Sequence, residues 1–289
     1  MVPFPISYDS EEQLKIAKEF YKLNMRKRKK SKEQEISNWC EKNLVDVDGK
    51  SYSYMDIVCA LPSEINNIVK YIDNSKIICE NNHALKYIVD SLYVNMRKEA
   101  RLFLFKYVNS KACPYCNRNY VYVDNRIKAC DFDHIYPKSK YPILAASFFN
   151  LVPSCPICNR YKGDEVLSFK PYNNYSYEKV PHFSIKLLDV NYQSNEESIQ
   201  ISFDSNYFSD EIDKLKLLEL YNSHKEIVQQ VFEIRQRYYN GEIKDMVDNF
   251  NLDKEKIKKL LLKIPASPDE FSKDIFSKLR YETWWFCKE

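Results

Sequence analysis

Between residues 11 and 108 apolar side chains return every three or four positions, among them Leu14, Phe20, Ile36, Trp39, Ile65, Ile68, Val69 and Ile72. That spacing predicts a mainly helical region. Ser10, followed by Glu11 and Glu12, has the form of a helix start. A second helical pattern over 91–108, with Leu92, Met96, Leu102, Leu104, Phe105 and Val108, carries the chain towards Cys113. The period then changes from helical to alternating. Residues 120–124 alternate, Asn125 and Arg126 suit a turn, and 127–133 return as a strand, so a hairpin ending at Asp133-His134 is expected. Pro137 and Pro142 force a loop, 145–152 lead back extended through Asn150, and Pro156 opens a short helix that ends at Gly163.

Beyond Pro171 two alternating runs, 182–188 and 198–203, read as paired strands. Helical spacing resumes over 210–239 through Ile212, Leu215, Leu218, Ile227, Val231 and Ile234. Two further helices are expected near 254–264 and 268–286. No repeat of solenoid length is present. The fold class is therefore α+β: a helical N-terminal region over 1–108, a small core over 109–172, and a mixed, mainly helical C-terminal region over 173–289.

With 44% hydrophobic residues, the 289-residue chain has material for two or three packed units. Tyr (23) and Phe (16) are abundant but Gly is limited to 3, which excludes glycine-rich phosphate loops and with them a P-loop nucleotidase. The formal charge of +3 is too small for a general polyanion trap, so any nucleic-acid contact must come from local patches. One such run, Lys22 to Lys32, places seven positive charges in eleven residues. It reads equally as a solvated helix or as a phosphate-contacting arm. The start, with Pro3, Pro5, Asp9, Glu11 and Glu12, does not fit a secretory signal. The longest apolar stretch, near 143–152, is interrupted by Ser147 and Asn150 and is far shorter than the ~20 residues of a membrane helix. The expectation is a cytoplasmic protein with reduced thiols and no membrane association.

Four of the nine cysteines form two knuckles, Cys113-Pro-Tyr-Cys116 and Cys155-Pro-Ile-Cys158, at spacing suited to a tetrahedral Zn²⁺ site. Cys40, Cys59, Cys79, Cys130 and Cys287 lack ligand spacing and are expected to be small buried hydrophobes. Asp133, His134 and Asn150 lie between the knuckles, and Asn159 follows the second. Hydrolysis of a phosphodiester needs an activated water, charge relief on the phosphoryl oxygens and a stabilised leaving oxygen. His134 can serve as base, Asp133 and Asn159 can offer oxygens to a divalent ion, and Asn150 can hold the loop or orient the imidazole. Asp131, alternating with Asp133, is read as a solvated or supporting acid. His83, His182 and His224 are read as structural.

The run Cys-x-x-Cys, Asp-His-Ile-Tyr-Pro-Lys-Ser, Asn-Leu-Val-Pro-Ser-Cys-Pro-Ile-Cys-Asn-Arg-Tyr-Lys-Gly-Asp, from Cys113 to about Asp164, resembles the HNH endonucleases. The resemblance implies a ββα-metal core with a four-cysteine zinc site, His134 as general base, Asp133 as ligand of the catalytic ion, Asn150 as the middle motif residue, and DNA products with 5′-phosphate and 3′-hydroxyl ends. Asn159 stands where the family most often has histidine, making this an HNN variant. An oxygen-only pair favours Mg²⁺ or Mn²⁺ there, while the thiolates hold Zn²⁺.

Lys138, Arg160 and Lys162 are candidate phosphate contacts, with Lys162 favoured because it shares a helix face with Asn159; Lys140 is a further basic neighbour. Surface solvation is the alternative for each. The size and layout are similar to HNH proteins of bacterial anti-phage defence, including Septu-type systems in which the nuclease pairs with an ATPase. The Cys-Pro-Tyr-Cys-Asn-Arg-Asn-Tyr knuckle departs from the Septu-type form. DNA is the expected substrate and such an ATPase a possible partner protein. Two other readings stay open: a zinc-stapled nucleic-acid or protein-binding module without catalysis, and an HNH nuclease that cuts RNA. For the aromatic segment 281–286, a terminal core contact is favoured over a docking patch.

Overall fold

The computed structural model describes residues 1–45, 48–77, 82–124, 126–204, 207–239, 245, 248–249 and 263–286. Cys79, Asn125, Cys287 and most of the helix expected at 254–264 lie outside them. The chain divides into two compact units, one of Phe4–Asn109 with Tyr122–Asn174, the other of Met1–Pro3 with Ser110–Val121 and Tyr175–Glu289.

In the first of these units α1 (Ser10–Met25) begins where Asp9 accepts a hydrogen bond from the Glu12 amide, with Glu11 and Glu12 complementing the helix dipole. The N-cap is Asp9 and the expected Ser10 is already helical. Helices α2 (Lys30–Asn43), α3 (Tyr54–Cys59), α4 (Pro62–Asn74) and α5 (His83–Tyr87) follow. Ser53 and Asp56 form a reciprocal capping box on α3, and Pro62 opens α4.

The helix expected over 91–108 is broken. A π-helical turn, Ile88–Tyr93, precedes α6 (Lys98–Val108), with extended backbone at Arg97 between them. The cause is tertiary: the buried Asn24 of α1 donates to the Leu92 carbonyl (3.2 Å) and accepts from the Arg97 amide (3.3 Å), replacing helical partners on both sides of the break.

The expected hairpin is also reduced. Val123 and Lys128 make an isolated bridge, and among the described residues of this stretch only β1 (Asp131–His134) is a strand. Its partner is β2 (Leu151–Ser154), antiparallel, with Asp133 opposite Val152 and His134 opposite Leu151. Helix α7 (Pro156–Lys162) closes a ββα unit and ends at Gly163, whose φ of 56° suits glycine.

The adjoining core is aromatic. Phe148 is fully buried, with its ring 5.0 Å from Phe20, 4.9 Å from Phe149 and 5.3 Å from Tyr107. The Ser147 hydroxyl donates to the Ile57 carbonyl (3.0 Å), and the buried Tyr172 hydroxyl to the Leu151 carbonyl (2.6 Å).

The other unit contains the expected pair of strands as β3 (His182–Leu187) and β4 (Ile199–Asp204), antiparallel with Ile185 opposite Ile201. The helical pattern over 210–239 is three helices, α8 (Ser209–Lys214), α9 (Leu217–Asn222) and α10 (Lys225–Tyr239), interrupted at Lys216, whose φ is 54°. Likewise 268–286 is a 3-10 turn, Pro268–Lys273, and then α11 (Ser277–Phe286), broken at Phe276 with φ 55°. Trp284 of the terminal aromatic segment packs inward, whereas Trp285 and Phe286 are exposed. Among the described residues no helix is long and apolar enough to cross a membrane.

Phe148 joins α1 to the strand β2 region, so its truncation tests this packing. Phe148→Ala is expected to lower unfolding free energy by about 3–5 kcal/mol, read from urea denaturation.

Candidate functional site

Each cysteine knuckle is shaped by its own backbone. The Asn117 amide donates to the Cys113 carbonyl at 2.7 Å, with Asn117 itself at a φ of 50°. Cys155 is the N-cap of α7, and its sulfur accepts from the Cys158 amide at 3.5 Å. Cys113, Cys116, Cys155 and Cys158 are all buried, and their four Sγ atoms lie within 4.8 Å of one another. Four thiolates held about 2.3 Å from a tetrahedral Zn²⁺ are ~3.8 Å apart. The set, all within 4.8 Å, is compatible with that spacing. Cys40, Cys59 and Cys130 are buried singly, and burial pushes each thiol up to about 12.

Strand β1 presents Asp131 and Asp133 on the same side by its two-residue alternation, and α7 presents Asn159 and Lys162 on the same side by its three-residue step. The two rows meet residue by residue. The Asn159 side-chain amide donates to Asp131 Oδ2 at 3.0 Å. Lys162 Nζ lies 3.2 Å from Asp133 Oδ1 and donates to the His134 carbonyl at 2.7 Å. Lys162 is 1% exposed, so the side chain favoured as a phosphate contact is turned inward. A lysine long enough to reach β1 neutralises the carboxylate there, because a buried carboxylate without a partner is costly. Tying the Asn159 nitrogen to Asp131 leaves the amide oxygen as the end able to ligate a cation.

His134 is 5% exposed, and burial pushes its imidazole down to about 4, the Ala145 carbonyl opposing the shift. The ring is therefore neutral near pH 7. Nε2 lies 2.9 Å from the Ala145 carbonyl oxygen, which can only accept, so Nε2 carries the hydrogen and donates. Nδ1 is left with the lone pair. The base-competent nitrogen is thus selected by one backbone contact.

Asn150, fully buried, directs its side chain to backbone. Its Oδ1 accepts from the Tyr136 amide (2.8 Å), and its Nδ2 donates to the carbonyls of Tyr136 (3.1 Å) and Leu144 (3.0 Å). Its own carbonyl accepts from the Ile135 amide at 3.0 Å. These bonds hold the loop that supplies the Ala145 carbonyl, so Asn150 bears on His134 through the loop.

Tyr93 was not legible from spacing around the motif. Its ring centroid is 4.3 Å from that of His134, and its hydroxyl donates to the Phe132 carbonyl at 2.7 Å. Burial and then the charges of Asp133 and Asp131 push its phenol up to about 12, keeping it a donor. It comes from the π-helical turn, a distortion often found at functional sites, and no sequence signal marks it. Of the remaining basic candidates, Lys138 is half-buried with Nζ 5.6 Å from the Tyr93 ring centre, Lys140 pairs with Asp73 (3.1 Å), and Arg160 is exposed on α7.

Residues 112–165, which hold all of these motif positions, match the model of the HNH endonuclease family. The region is an HNH-type domain. The chain is also 35% identical over 74 residues to the Septu protein PtuB of Bacillus thuringiensis, covering 26% of this chain and 27% of that protein. It therefore spans about a quarter of that relative's length. No solved structure is significantly similar to the chain.

Because Asn150 fills three side-chain hydrogen bonds with no water access, its removal strands the Tyr136 amide and carbonyl and leaves the Leu144 carbonyl with the Ser147 amide alone. Asn150→Ala is expected to cost at least ~2 kcal/mol and to lower the melting temperature by several degrees in a thermal scan.

Proposed function

We propose that the protein is a metal-dependent HNH endonuclease that hydrolyses DNA phosphodiester bonds, acting in bacterial anti-phage defence. The observation that carries this reading is the state of His134. A neutral imidazole, pinned through Nε2 to the Ala145 carbonyl, keeps Nδ1 ready to take a proton from water. A divalent ion, Mg²⁺ or Mn²⁺, would be held by Asp133 and the amide oxygen of Asn159, both hard oxygen donors. It would supply charge relief on the phosphoryl group and the leaving 3′-oxygen. Asp131 fixes the Asn159 amide, and Lys162 ties Asp133 to α7 and offsets its charge.

The four thiolates would hold Zn²⁺ in a structural site, since a complete sulfur set leaves no open position for substrate. Arg160 and Lys138 are the proposed phosphate contacts of the core. Lys162, buried on Asp133, has a supporting place in this scheme in preference to a direct phosphate contact. Tyr93 is a positioning residue: its ring backs the imidazole and its hydroxyl is anchored on the neighbouring strand residue. The defence setting is supported by the similarity to the Septu protein over a quarter of the chain, and an ATPase as partner protein is suggested by the resemblance in size and layout to Septu-type systems.

His134→Ala is expected to abolish Mg²⁺- or Mn²⁺-dependent nicking of plasmid DNA while leaving the circular dichroism spectrum and zinc content unchanged. Retained cutting by that variant, or cutting that persists unchanged in EDTA, overturns the assignment. Tyr93→Ala should slow cleavage more than it weakens DNA binding, with Tyr93→Phe retaining most of the rate because the ring on His134 remains. Elemental analysis should find one zinc per chain. Replacing Cys158 with serine should lower zinc occupancy and the melting temperature together.

A further inference from the structure

The basic run Lys22 to Lys32 is not one helix. It caps α1, turns at Lys27 with φ 61°, and starts α2, so Arg26, Lys27, Lys29 and Lys30 are crowded into a single exposed turn. Its flanking charges already have partners: Lys22 lies 3.6 Å from Glu19, and Lys32 2.6 Å from Glu35. Among the described residues, no ion pair engages Arg26, Lys27, Lys29 or Lys30. Nor does the local structure favour Lys29 and Lys30 there. Lys29 is the N-cap of α2 without a side-chain cap bond, and Lys30 and Lys32 occupy its first turn, where the helix dipole disfavours positive charge. A lysine in left-handed backbone adds to the mismatch. Crowded, unneutralised charge, part of which opposes the start of α2, points to an anionic partner.

The turn is also fixed in place. Arg28 donates to the Asn95 carbonyl at 2.7 Å, and Asn24, just before the turn, is bonded to Leu92 and Arg97. These bonds bracket Tyr93, the residue whose ring lies on His134 and beneath Lys138. The turn is thus tied to the segment that carries Tyr93, and Tyr93 in turn touches both His134 and Lys138, all within one compact unit.

We infer that the turn Arg26–Lys30 is a phosphate-binding surface that receives the sugar–phosphate backbone of the DNA and leads it to His134. This inference rests on the nuclease reading for the polymer's identity but on the turn itself for the binding. In B-DNA each strand presents a phosphate about every 3.4 Å along the axis, so four exposed cations within one turn can engage neighbouring phosphates of the same strand.

The test neutralises the turn with Arg26→Gln, Lys27→Gln, Lys29→Gln and Lys30→Gln together. A control of equal charge change replaces the exposed Lys42, Lys70, Lys179 and Lys186 with glutamine. Binding to fluorescent duplex DNA, single-stranded DNA and RNA is followed by anisotropy across salt concentrations, without Mg²⁺ or Mn²⁺ so that cutting does not intervene. The turn variant should bind duplex DNA at least tenfold more weakly than the control. The slope of log affinity against log salt should fall by about one for each phosphate that the turn no longer neutralises. Its melting temperature should hold or rise, because mutual repulsion is relieved, which separates weaker phosphate binding from unfolding.

Equal affinity and equal slope for the turn variant and the control would overturn the inference, as would a wild-type protein that binds none of the three polymers. Plasmid cutting by the wild type is scored separately. If cutting is intact and the turn variant binds like the control, the surface is discarded and the nuclease reading stands. Turn-dependent binding with no cutting keeps the surface and discards that reading.

Discussion

A fully buried amide, Asn150, sets the terms for the site. Its side chain closes the loop between β1 and β2 by pairing with both backbone groups of Tyr136 and with the Leu144 carbonyl, and its carbonyl takes the Ile135 amide. Such groups are costly to bury unpaired, so the loop has essentially one arrangement in which all are satisfied. That arrangement aims the Ala145 carbonyl at His134 Nε2. The tautomer of the imidazole, and hence which nitrogen could take a proton, follows from an asparagine that need not touch it.

The same rule for buried charge governs the other side of the ββα unit. Two carboxylates on one side of β1 face an amide and an ammonium on one side of α7, and each finds its own partner. Asp131 is thereby drawn into the site as the support of Asn159. Lys162 is drawn away from solvent by Asp133 and the His134 carbonyl. Residues three apart on α7 do share a face, but that face looks inward onto the strand. Spacing identifies the side of a helix without saying what covers it.

Outside the motif, tertiary contacts rewrote several local expectations. Helical periodicity continued through 91–108, yet Asn24 intercepts the backbone on both sides of the break at 94–97 and produces the π-helical turn that brings Tyr93 onto His134. The alternation over 120–133 promised a hairpin, but its outer part makes only an isolated bridge, and β1 takes β2 as its partner. The basic run was ambiguous while it could be drawn as one helix. Its turn at Lys27 gathers Arg26, Lys27, Lys29 and Lys30, all exposed, between α1 and α2.

What the sequence determined by itself was the chemistry with short-range grammar. Two Cys-x-x-Cys knuckles, the Asp133-His134 pair, the offsets to Asn150 and Asn159, a proline opening α7 and a glycine ending it are all set by side-chain type and by φ preferences that act over a few residues. The paired strands β3 and β4 were legible for the same reason. What only the tertiary structure decided were the partners of buried polar groups: Lys162 on Asp133, Asn159 on Asp131, Tyr93 on His134, and the Arg28 tie to Asn95. A buried charge or amide must be satisfied by whatever group the fold places within about 3 Å, and that group lies dozens of residues away in the chain, beyond the reach of any local pattern.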